Sequence, residues 1–326
     1  MPFSDILGHQ TVIAGLRASR AQDRVAHAYL FAGPDGIGKS QVAMAFAQLL
    51  CCPESVQSDD ACGECRTCRL MSERRHPDLV VLEPEGAFIK ISQVREMTKM
   101  LRFPPVEAAT RVILIEPADK LHPAAANALL KTLEEPSPRN LFILTTNQPN
   151  ALLTTIRSRS QQVRFSMLER QLVVGWLVQN SELDEETAQE VAAISGGSLG
   201  LAVQLSAPEL QAVRSQWLDL LGRLGQMSLN QVILSAEQLA ASKDNLPTIM
   251  DVMRLALRDL LLKSAGASSD SFTFHRFAAE FSSPRQEMLI AALDGIDEAE
   301  RAIRHNVNPR LVAENLLINL GQTLAQ

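Results

Sequence analysis

The chain has 326 residues, of which 46% are hydrophobic and 21% are charged, with a formal net charge of −6. This length is typical of a protein of two or three domains and excludes a minidomain that needs disulfides to fold. The acidic balance argues against a general nucleic-acid coat, because affinity for phosphates comes from clustered Lys and Arg. We find no apolar run near the length of a membrane span and no signal-peptide pattern, so we expect a cytoplasmic protein.

The first strand pattern, AYLFA at 28–32, runs into the loop GPDGIGKS at 33–40, and a helix pattern follows. The loop fits the phosphate-binding pattern G-x-x-x-x-G-K-[ST]. Its glycines let backbone N–H groups face a phosphate, its lysine adds positive charge, and its serine hydroxyl can ligate Mg²⁺. These predicted nucleotide-binding residues are Gly33, Gly36, Gly38, Lys39 and Ser40. The loop therefore predicts a site for ATP or ADP with Mg²⁺.

All five cysteines lie between Cys51 and Cys68. Such clustering predicts one local site in a reducing compartment, because a disulfide framework would spread its cysteines along the chain. Cys62, Cys65 and Cys68 form C-x₂-C-x₂-C, and Cys51 or Cys52 can supply a fourth thiolate for a closed structural zinc site. His76 is not expected as a ligand. An iron–sulfur cluster and unligated buried thiols are the rival interpretations.

The strand pattern at 111–115 is followed by Glu116 and Pro117. ATPases with this phosphate loop place an acidic residue for Mg²⁺ after a neighbouring strand, and many follow it with a glutamate that activates water. Glu116 is therefore a candidate to help hold the ion. Pro117 has no proton-accepting side chain, and we do not expect Asp119 to replace the missing carboxylate. The pattern favours a site that holds a nucleotide without turning it over efficiently.

The remaining patterns divide the chain into two halves. Further strands are predicted at 79–82 and 141–144, with helices at 92–102 and 124–135 between them. This alternation predicts an α/β P-loop domain with a mainly parallel sheet covered by helices. After about residue 168 nearly every segment has helical spacing, so the second half is predicted to be all helical. The expected features there are a stop and restart at 195–198, helices at 247–263 and 309–322, and a loop at 265–271.

Four stretches carry a resemblance to a known family: HAYLF at 27–31, ANALLKTLEEP at 126–136, LFILTTNQPN at 141–150 and TIRSRS at 155–160. With the phosphate loop, they make the chain resemble the AAA+ family and, within it, the bacterial clamp-loader subunits of the DNA polymerase III holoenzyme. The resemblance implies an AAA+ domain at 1–168 with a zinc module near 51–68. It also implies a helical lid at 169–207 and a helical oligomerisation collar at 208–326.

The resemblance implies a role for Arg159. Clamp-loader ATP sites lie between subunits, and an arginine in a Ser-Arg-Cys motif reaches the γ-phosphate bound by the neighbour. Here the motif is Ser158-Arg159-Ser160, which makes Arg159 the candidate trans-acting arginine finger. The lid motif Gly-Ser-x-Arg of ATPase relatives ends here in Gly200, so its arginine is missing. An intact loop without these hydrolytic parts is what a non-motor stator subunit would show.

The resemblance also implies zinc ligands and partners. Cys51 follows Leu49 and Leu50 as the family's first zinc ligand does, which favours Cys51 over Cys52. Expected partners are the motor subunits (tau/gamma) and the delta subunit, with the sliding clamp and primer-template DNA reached through the complex and no membrane. One alternative is an autonomous motor ATPase that uses Glu116 unconventionally. Another is a zinc-dependent DNA-binding protein with a vestigial loop, against which the acidic balance and few aromatic residues count.

Overall fold

The computed structural model describes residues 1–56, 58–242, 245–268, 271–281, 285–305 and 307–325. The chain forms two compact units. The first comprises Met1–Leu172 with Gly197–Gly200, and the second comprises Val173–Gly196 with Leu201–Gln326. Across the described ranges, none of the helices combines the length and hydropathy that crossing a membrane would require. The division at residues 168 and 207 into nucleotide-binding, lid and collar domains stays a prediction.

The first unit is built on a five-stranded parallel sheet in the order β2-β3-β4-β1-β5. The strands are β1 (Ala28–Ala32), β2 (Leu79–Leu82), β3 (Arg111–Ile115), β4 (Asn140–Thr146) and β5 (Gln161–Arg164). In register, Ala28 lies opposite Phe142 and Tyr29 lies opposite Gln161. The predicted parallel α/β fold is confirmed. Strand β5 was not predicted, because its sequence QQVR lacks an apolar run and lies mostly exposed at the sheet edge.

Helices cover both faces of this sheet. They are α1 (Gln10–Ala21), α2 (Lys39–Cys51), α3 (Arg66–Ser72), α4 (Ile91–Met100), α5 (Pro123–Glu134) and α6 (Thr154–Arg159). Short 3-10 helices span Phe3–Asp5, Pro53–Val56, Ala118–Lys120 and Pro149–Ala151. The helices predicted at 92–102 and 124–135 correspond to α4 and α5. Helix α3 belongs to the cysteine-containing insertion, which lies between α2 and β2.

Alternating strand residues form two separate cores. Tyr29 and Ile143 face the side covered by α1 and α2, whereas Leu30 and Phe142 face the side covered by α4, α5 and α6. Because both faces are buried, β1, β3 and β4 read as nearly continuous apolar runs. The carboxyl ends of these parallel strands meet at one edge of the sheet. That edge therefore carries the phosphate loop after β1 and Glu116 after β3.

All regular secondary structure in the described residues of the second unit is helical. Its chain runs through α7 (Arg170–Asn180), α8 (Glu185–Ile194), α9 (Leu199–Leu205), α10 (Pro208–Leu224), α11 (Leu229–Ala241), α12 (Leu246–Ser264), α13 (His275–Glu280), α14 (Gln286–Arg304) and α15 (Pro309–Leu324). Helix α15 packs against α11 and α14, and α14 also packs against α12, through buried aliphatic side chains. The predicted helices at 247–263 and 309–322 correspond to α12 and α15. The predicted loop at 265–271 follows α12, and its residues 269–270 lie outside the described residues.

A buried carboxylate connects the start of β2 to the segment that precedes β3. Asp78 is fully buried and accepts hydrogen bonds from the backbone N–H groups of Val106 (2.7 Å), Glu107 (2.7 Å) and Ala108 (2.8 Å). Its Oδ1 also lies 3.4 Å from the Arg111 guanidinium. Burial acts to raise the pKa of Asp78, but the three N–H groups and Arg111 together hold that pKa below its usual value.

Replacing Asp78 by asparagine is expected to lower the free energy of unfolding of the first unit by about 3–5 kcal/mol, because Arg111 would be left buried without its charge partner. A depressed carboxyl pKa stabilises the fold above the unfolded pKa of about 3.9, and this contribution is lost as pH falls through the folded pKa. Wild-type stability should therefore fall more steeply in acid than that of Asp78→Asn. Hydrogen exchange of the β3 amides at pH 7 would measure the first effect, and urea unfolding followed from about pH 5 down to about pH 2 would measure the second. Asp59→Asn, at an exposed position, is the control and should change stability by less than about 0.5 kcal/mol.

Candidate functional site

The phosphate loop joins β1 to α2 and is fixed to the neighbouring strands. The backbone N–H of Gly33 donates to the carbonyl oxygen of Thr146 at the end of β4 (3.1 Å). A Cβ atom on Gly33 would lie 2.5 Å from the carbonyl oxygen of Phe165, so a larger residue does not fit. Gly36 and Gly38 have φ angles of 71° and 97°, which side chains rarely allow. The three predicted glycines thus meet distinct backbone requirements.

Lys39 lies across the loop and is 8% exposed. Its Nζ donates to the carbonyl oxygens of Gly33 (2.8 Å) and Pro34 (2.5 Å), and it lies 3.8 Å from the Asp35 carboxylate. Burial lowers the pKa of Lys39, while the carboxylates of Asp35 and Asp119 act in the opposite direction. The loop therefore fixes an amine at its centre. The half-buried Ser40 follows in the first turn of α2, whose N-terminus offers backbone N–H groups to an anion.

The segment 197–200 is hydrogen-bonded to the phosphate loop. The Ser198 hydroxyl donates to the carbonyl oxygen of Asp35 (3.0 Å), and the Gly200 N–H donates to the carbonyl oxygen of Gly36 (2.7 Å). A Cβ atom on Gly200 would lie 2.9 Å from the Cα atom of Gly36. The position at which the resemblance expects a lid arginine therefore has no room for a side chain unless the loop backbone shifts.

Two carboxylates follow β3 near the same edge of the sheet. Glu116 is 8% exposed, and its Oε1 lies 2.7 Å from Nη2 of Arg74. Asp119, in the 3-10 helix three residues further on, accepts a hydrogen bond from the Thr146 hydroxyl (2.7 Å) and acts electrostatically on Lys39. The sequence did not predict a role for Asp119 in replacing the carboxylate that is missing at Pro117. No helical spacing relates Asp119 to Glu116, because Pro117 has extended backbone and the 3-10 helix begins at Ala118.

Arg159 ends α6 and pairs at the surface with the Glu134 carboxylate. Its Nη2 lies 2.7 Å from Oε1 of Glu134, the last residue of α5, and its Nη1 donates to the carbonyl oxygen of Thr155 (3.2 Å). The arginine side chain is 35% exposed and that of Glu134 is 47% exposed. The next residue, Ser160, is buried and donates to the carbonyl oxygen of Ile156 (3.0 Å). The guanidinium is thus oriented but remains accessible.

Four cysteines come together after α2. The Sγ atoms of Cys52, Cys62, Cys65 and Cys68 all lie within 4.8 Å of one another. The distance from Cys52 to Cys62 is 3.6 Å, and those from Cys52 to Cys65 and from Cys62 to Cys68 are 3.9 Å. A tetrahedral zinc site with Zn–S bonds of about 2.3 Å needs sulfur separations of about 3.8 Å. The group could therefore bind a metal ion such as zinc.

Backbone donors also orient the sulfurs of this group. The N–H groups of Cys65 and Cys68 donate to Sγ of Cys62 (3.3 Å) and of Cys65 (3.4 Å), respectively. The Cys65 and Glu64 N–H groups lower the pKa of Cys62 to about 7, whereas burial raises the pKa values of Cys65 and Cys68. In both C-x₂-C pairs, the backbone N–H of the second cysteine thus lies beside the sulfur of the first.

Cys51, which the family pattern favours, lies outside the four-cysteine group. It is the last residue of α2 and packs in the core between the sheet and that helix. Its thiol donates to the carbonyl oxygen of Thr110 (3.3 Å), and burial raises its pKa to about 12. Cys52 follows with extended backbone and points its sulfur into the group instead. The candidate ligand set is therefore corrected from Cys51 to Cys52.

Comparisons with known proteins agree on one family. A family model described as "DNA polymerase III, delta subunit" matches residues 8–169. The DNA polymerase III subunit delta' of Pseudomonas aeruginosa PAO1 is 36% identical over 248 residues, which cover 75% of this chain and 73% of that protein. This chain belongs to the DNA polymerase III delta-prime family. The delta' subunit of Bacillus subtilis strain 168 is 28% identical over 312 residues and 92% of each chain.

The chain is also similar to a second kind of DNA polymerase III subunit. The DNA polymerase III subunit tau of Bacillus subtilis strain 168 is 25% identical over 357 aligned positions, which cover 99% of this chain and 62% of that protein. The resemblance to AAA+ clamp-loader subunits is thereby confirmed. Within this delta-prime family member, the predicted phosphate-loop residues lie together, whereas Glu116 pairs with Arg74 and Arg159 pairs with Glu134.

Proposed function

We propose that this chain is the non-motor, or stator, subunit of the clamp loader. It holds ATP or ADP at the loop 33–40 without efficient hydrolysis, and it presents Arg159 to the ATP site of a neighbouring motor subunit (tau/gamma). The delta subunit, the sliding clamp and primer-template DNA are its further partners within the complex. The observation that carries this proposal is a complete phosphate loop beside two positions, Pro117 and Gly200, that lack hydrolytic side chains.

The loop supports nucleotide holding through charge and backbone donors. Lys39 is already bonded to two loop carbonyl oxygens, so little side-chain entropy remains to be lost when a phosphate binds. The N–H groups at the start of α2 and the positive-φ glycines direct backbone donors toward the same anion. Gly33, Gly36, Gly38, Lys39 and Ser40 are the residues proposed to hold the nucleotide.

The nucleotide site lacks two groups that efficient ATP turnover would need. A proton-accepting side chain is missing at Pro117, and Asp119 is engaged by the Thr146 hydroxyl. A cation that would stabilise charge on the transferred phosphoryl group is missing at Gly200, whose N–H bonds to the loop instead. The subunit therefore contributes to catalysis at a neighbour's site through Arg159 rather than at its own.

The four-cysteine group is proposed to hold a structural zinc ion. Cys52, Cys62, Cys65 and Cys68 supply four thiolates, which leaves no open position for catalysis. Bound zinc would close the insertion between α2 and β2. The module is already tied to α2, because the Gln48 side chain donates to the carbonyl oxygen of Cys68 (2.8 Å).

Nucleotide binding and single-turnover hydrolysis by the purified chain test the nucleotide-holding part of this proposal. The wild-type chain is expected to bind ATP and ADP, and Lys39→Ala to weaken binding about 10- to 100-fold, because a charge-assisted contact to phosphate is lost. Neither protein should hydrolyse ATP measurably. Lys131→Ala, at an exposed lysine on α5, is the matched control. Hydrolysis by wild type that Lys39→Ala abolishes would instead identify a motor ATPase.

A further inference from the structure

Glu116 occupies a position at which an ATPase of this fold would offer a carboxylate to magnesium, but its charge already has a partner. Glu116 is 8% exposed, and Oε1 lies 2.7 Å from Nη2 of Arg74. Its other oxygen, Oε2, is buried and has no hydrogen-bond partner among the residues that the structure describes. A buried carboxylate with one unpaired oxygen depends strongly on the single cation beside it.

Arg74 reaches Glu116 from the turn that follows α3, at the end of the cysteine-containing insertion. Its backbone has a φ angle of 57°, and its N–H donates to the carbonyl oxygen of Met71 (3.0 Å). Its other guanidinium nitrogen pairs with Glu83, just after β2. Arg74 thus joins the ends of two strands through their carboxylates. The positive φ belongs to the left-handed residue that ends α3, where the Arg75 N–H donates to the carbonyl oxygen of Leu70 (2.8 Å).

A guanidinium at this distance opposes a metal ion at the same carboxylate. Magnesium prefers oxygen ligands in octahedral geometry, and at the Glu116 carboxylate, which is 9% exposed, it would be repelled by the half-exposed Arg74 guanidinium 2.7 Å from Oε1. While Arg74 holds Oε1, the one oxygen left for magnesium is the buried Oε2, where the guanidinium repels the ion. Departure of Arg74 would also strip Glu83 of a partner, so the exchange is opposed at two carboxylates.

We propose that Arg74 is a built-in cation that keeps Glu116 from acting as a magnesium ligand for nucleotide held at the loop 33–40. This inference rests on the proposed function, because it specifies which carboxylate of the nucleotide site does not ligate magnesium. Arg74 is a positioning residue in this scheme, since it acts through Glu116. Any metal dependence of nucleotide affinity in the wild-type chain then comes from groups other than Glu116.

A double-mutant cycle tests the inference. For each protein, the affinities for ATP in excess Mg²⁺ and in EDTA are measured by titration calorimetry, and their ratio gives the metal dependence. Glu116→Gln in the wild-type background is expected to change this ratio by less than about twofold. Arg74→Gly, which suits the positive φ, is expected to raise the ratio about tenfold or more, and adding Glu116→Gln should remove that gain. Arg75→Ala, at the exposed neighbouring arginine, is the control and should leave the ratio unchanged.

The inference is overturned if Glu116→Gln lowers the ratio in the wild-type background as much as it does beside Arg74→Gly. It is also overturned if Arg74→Gly leaves the ratio unchanged. Lys39-dependent ATP affinity reports the proposed function separately, whatever the metal response. If the wild-type chain binds no ATP, nucleotide holding fails, and magnesium-dependent binding gained by Arg74→Gly would still support the role of Arg74; no gain would overturn it.

Discussion

Replacing Arg159 by alanine is expected to lower ATP turnover by the assembled clamp loader by about 10³-fold or more, and to leave assembly intact. A trans-acting guanidinium stabilises charge on the transferred phosphoryl group and typically accounts for about 10³–10⁵ in rate. The same substitution should not change ATP affinity at this chain's own loop, because Arg159 lies at the end of α6 and makes no bond to the loop among the described contacts.

The resting contact of Arg159 suits this role. Glu134 orients the guanidinium, but both side chains are more than one-third exposed, so solvent screens their attraction. A neighbouring γ-phosphate carries more negative charge and can bind the guanidinium through two parallel hydrogen bonds. Exchange from Glu134 to phosphate therefore costs little. The exposed Glu134 differs from Glu116, whose side chain is only 9% exposed where it meets Arg74.

Steady-state ATP hydrolysis by the reconstituted loader, with sliding clamp and primer-template DNA present, would measure the effect of Arg159→Ala. Arg159→Lys should recover only part of the rate, because an ammonium keeps the charge without the two-pronged geometry. Arg157→Ala, two residues earlier on α6, is the matched control and should leave turnover within about twofold of wild type. Unchanged turnover by Arg159→Ala in a fully assembled loader would remove the trans-finger role.

Local patterns predicted most of the first unit. Strands β1 to β4 were found because buried parallel strands leave continuous apolar runs, whereas β5 escaped because its four residues QQVR are mostly exposed. The phosphate loop was found because its chemistry lies within eight consecutive residues. Its lysine bonds to the carbonyl oxygens of Gly33 and Pro34 within the same loop, so sequence spacing specifies that contact.

Contacts between distant segments could not be predicted in the same way. The Gly200 N–H meets the Gly36 carbonyl only after the chain has completed the sheet and begun the helical half. Arg74 and Glu116 belong to different strand connections, and no periodicity links them. The absence of an arginine at position 200 was visible in the sequence. Only the fold shows that a side chain at position 200 would collide with the backbone of Gly36.

Substitutions of the adjacent cysteines Cys51 and Cys52 are expected to affect zinc binding differently. Cys52→Ser is expected to abolish stoichiometric zinc binding, whereas Cys51→Ser should retain it. Cys52 contributes one of four converging sulfurs, and its sulfur lies within 3.9 Å of Cys62 and Cys65. Structural zinc in small four-ligand sites contributes about 10–16 kcal/mol of apparent binding free energy, so loss of one thiolate removes a major constraint on the insertion.

Cys51 differs because its neighbours are apolar core and one carbonyl oxygen. A serine there can still donate to Thr110, and only the packing of one sulfur atom is lost. Zinc content of the purified variants, measured by mass spectrometry, and thermal unfolding with and without a chelator would separate the two positions. Chelation should destabilise wild type and Cys51→Ser alike and leave Cys52→Ser unaffected. Zinc lost from Cys51→Ser but kept by Cys52→Ser would show that Cys51 is the fourth ligand, and zinc absent from the wild-type chain would contradict the structural zinc site itself.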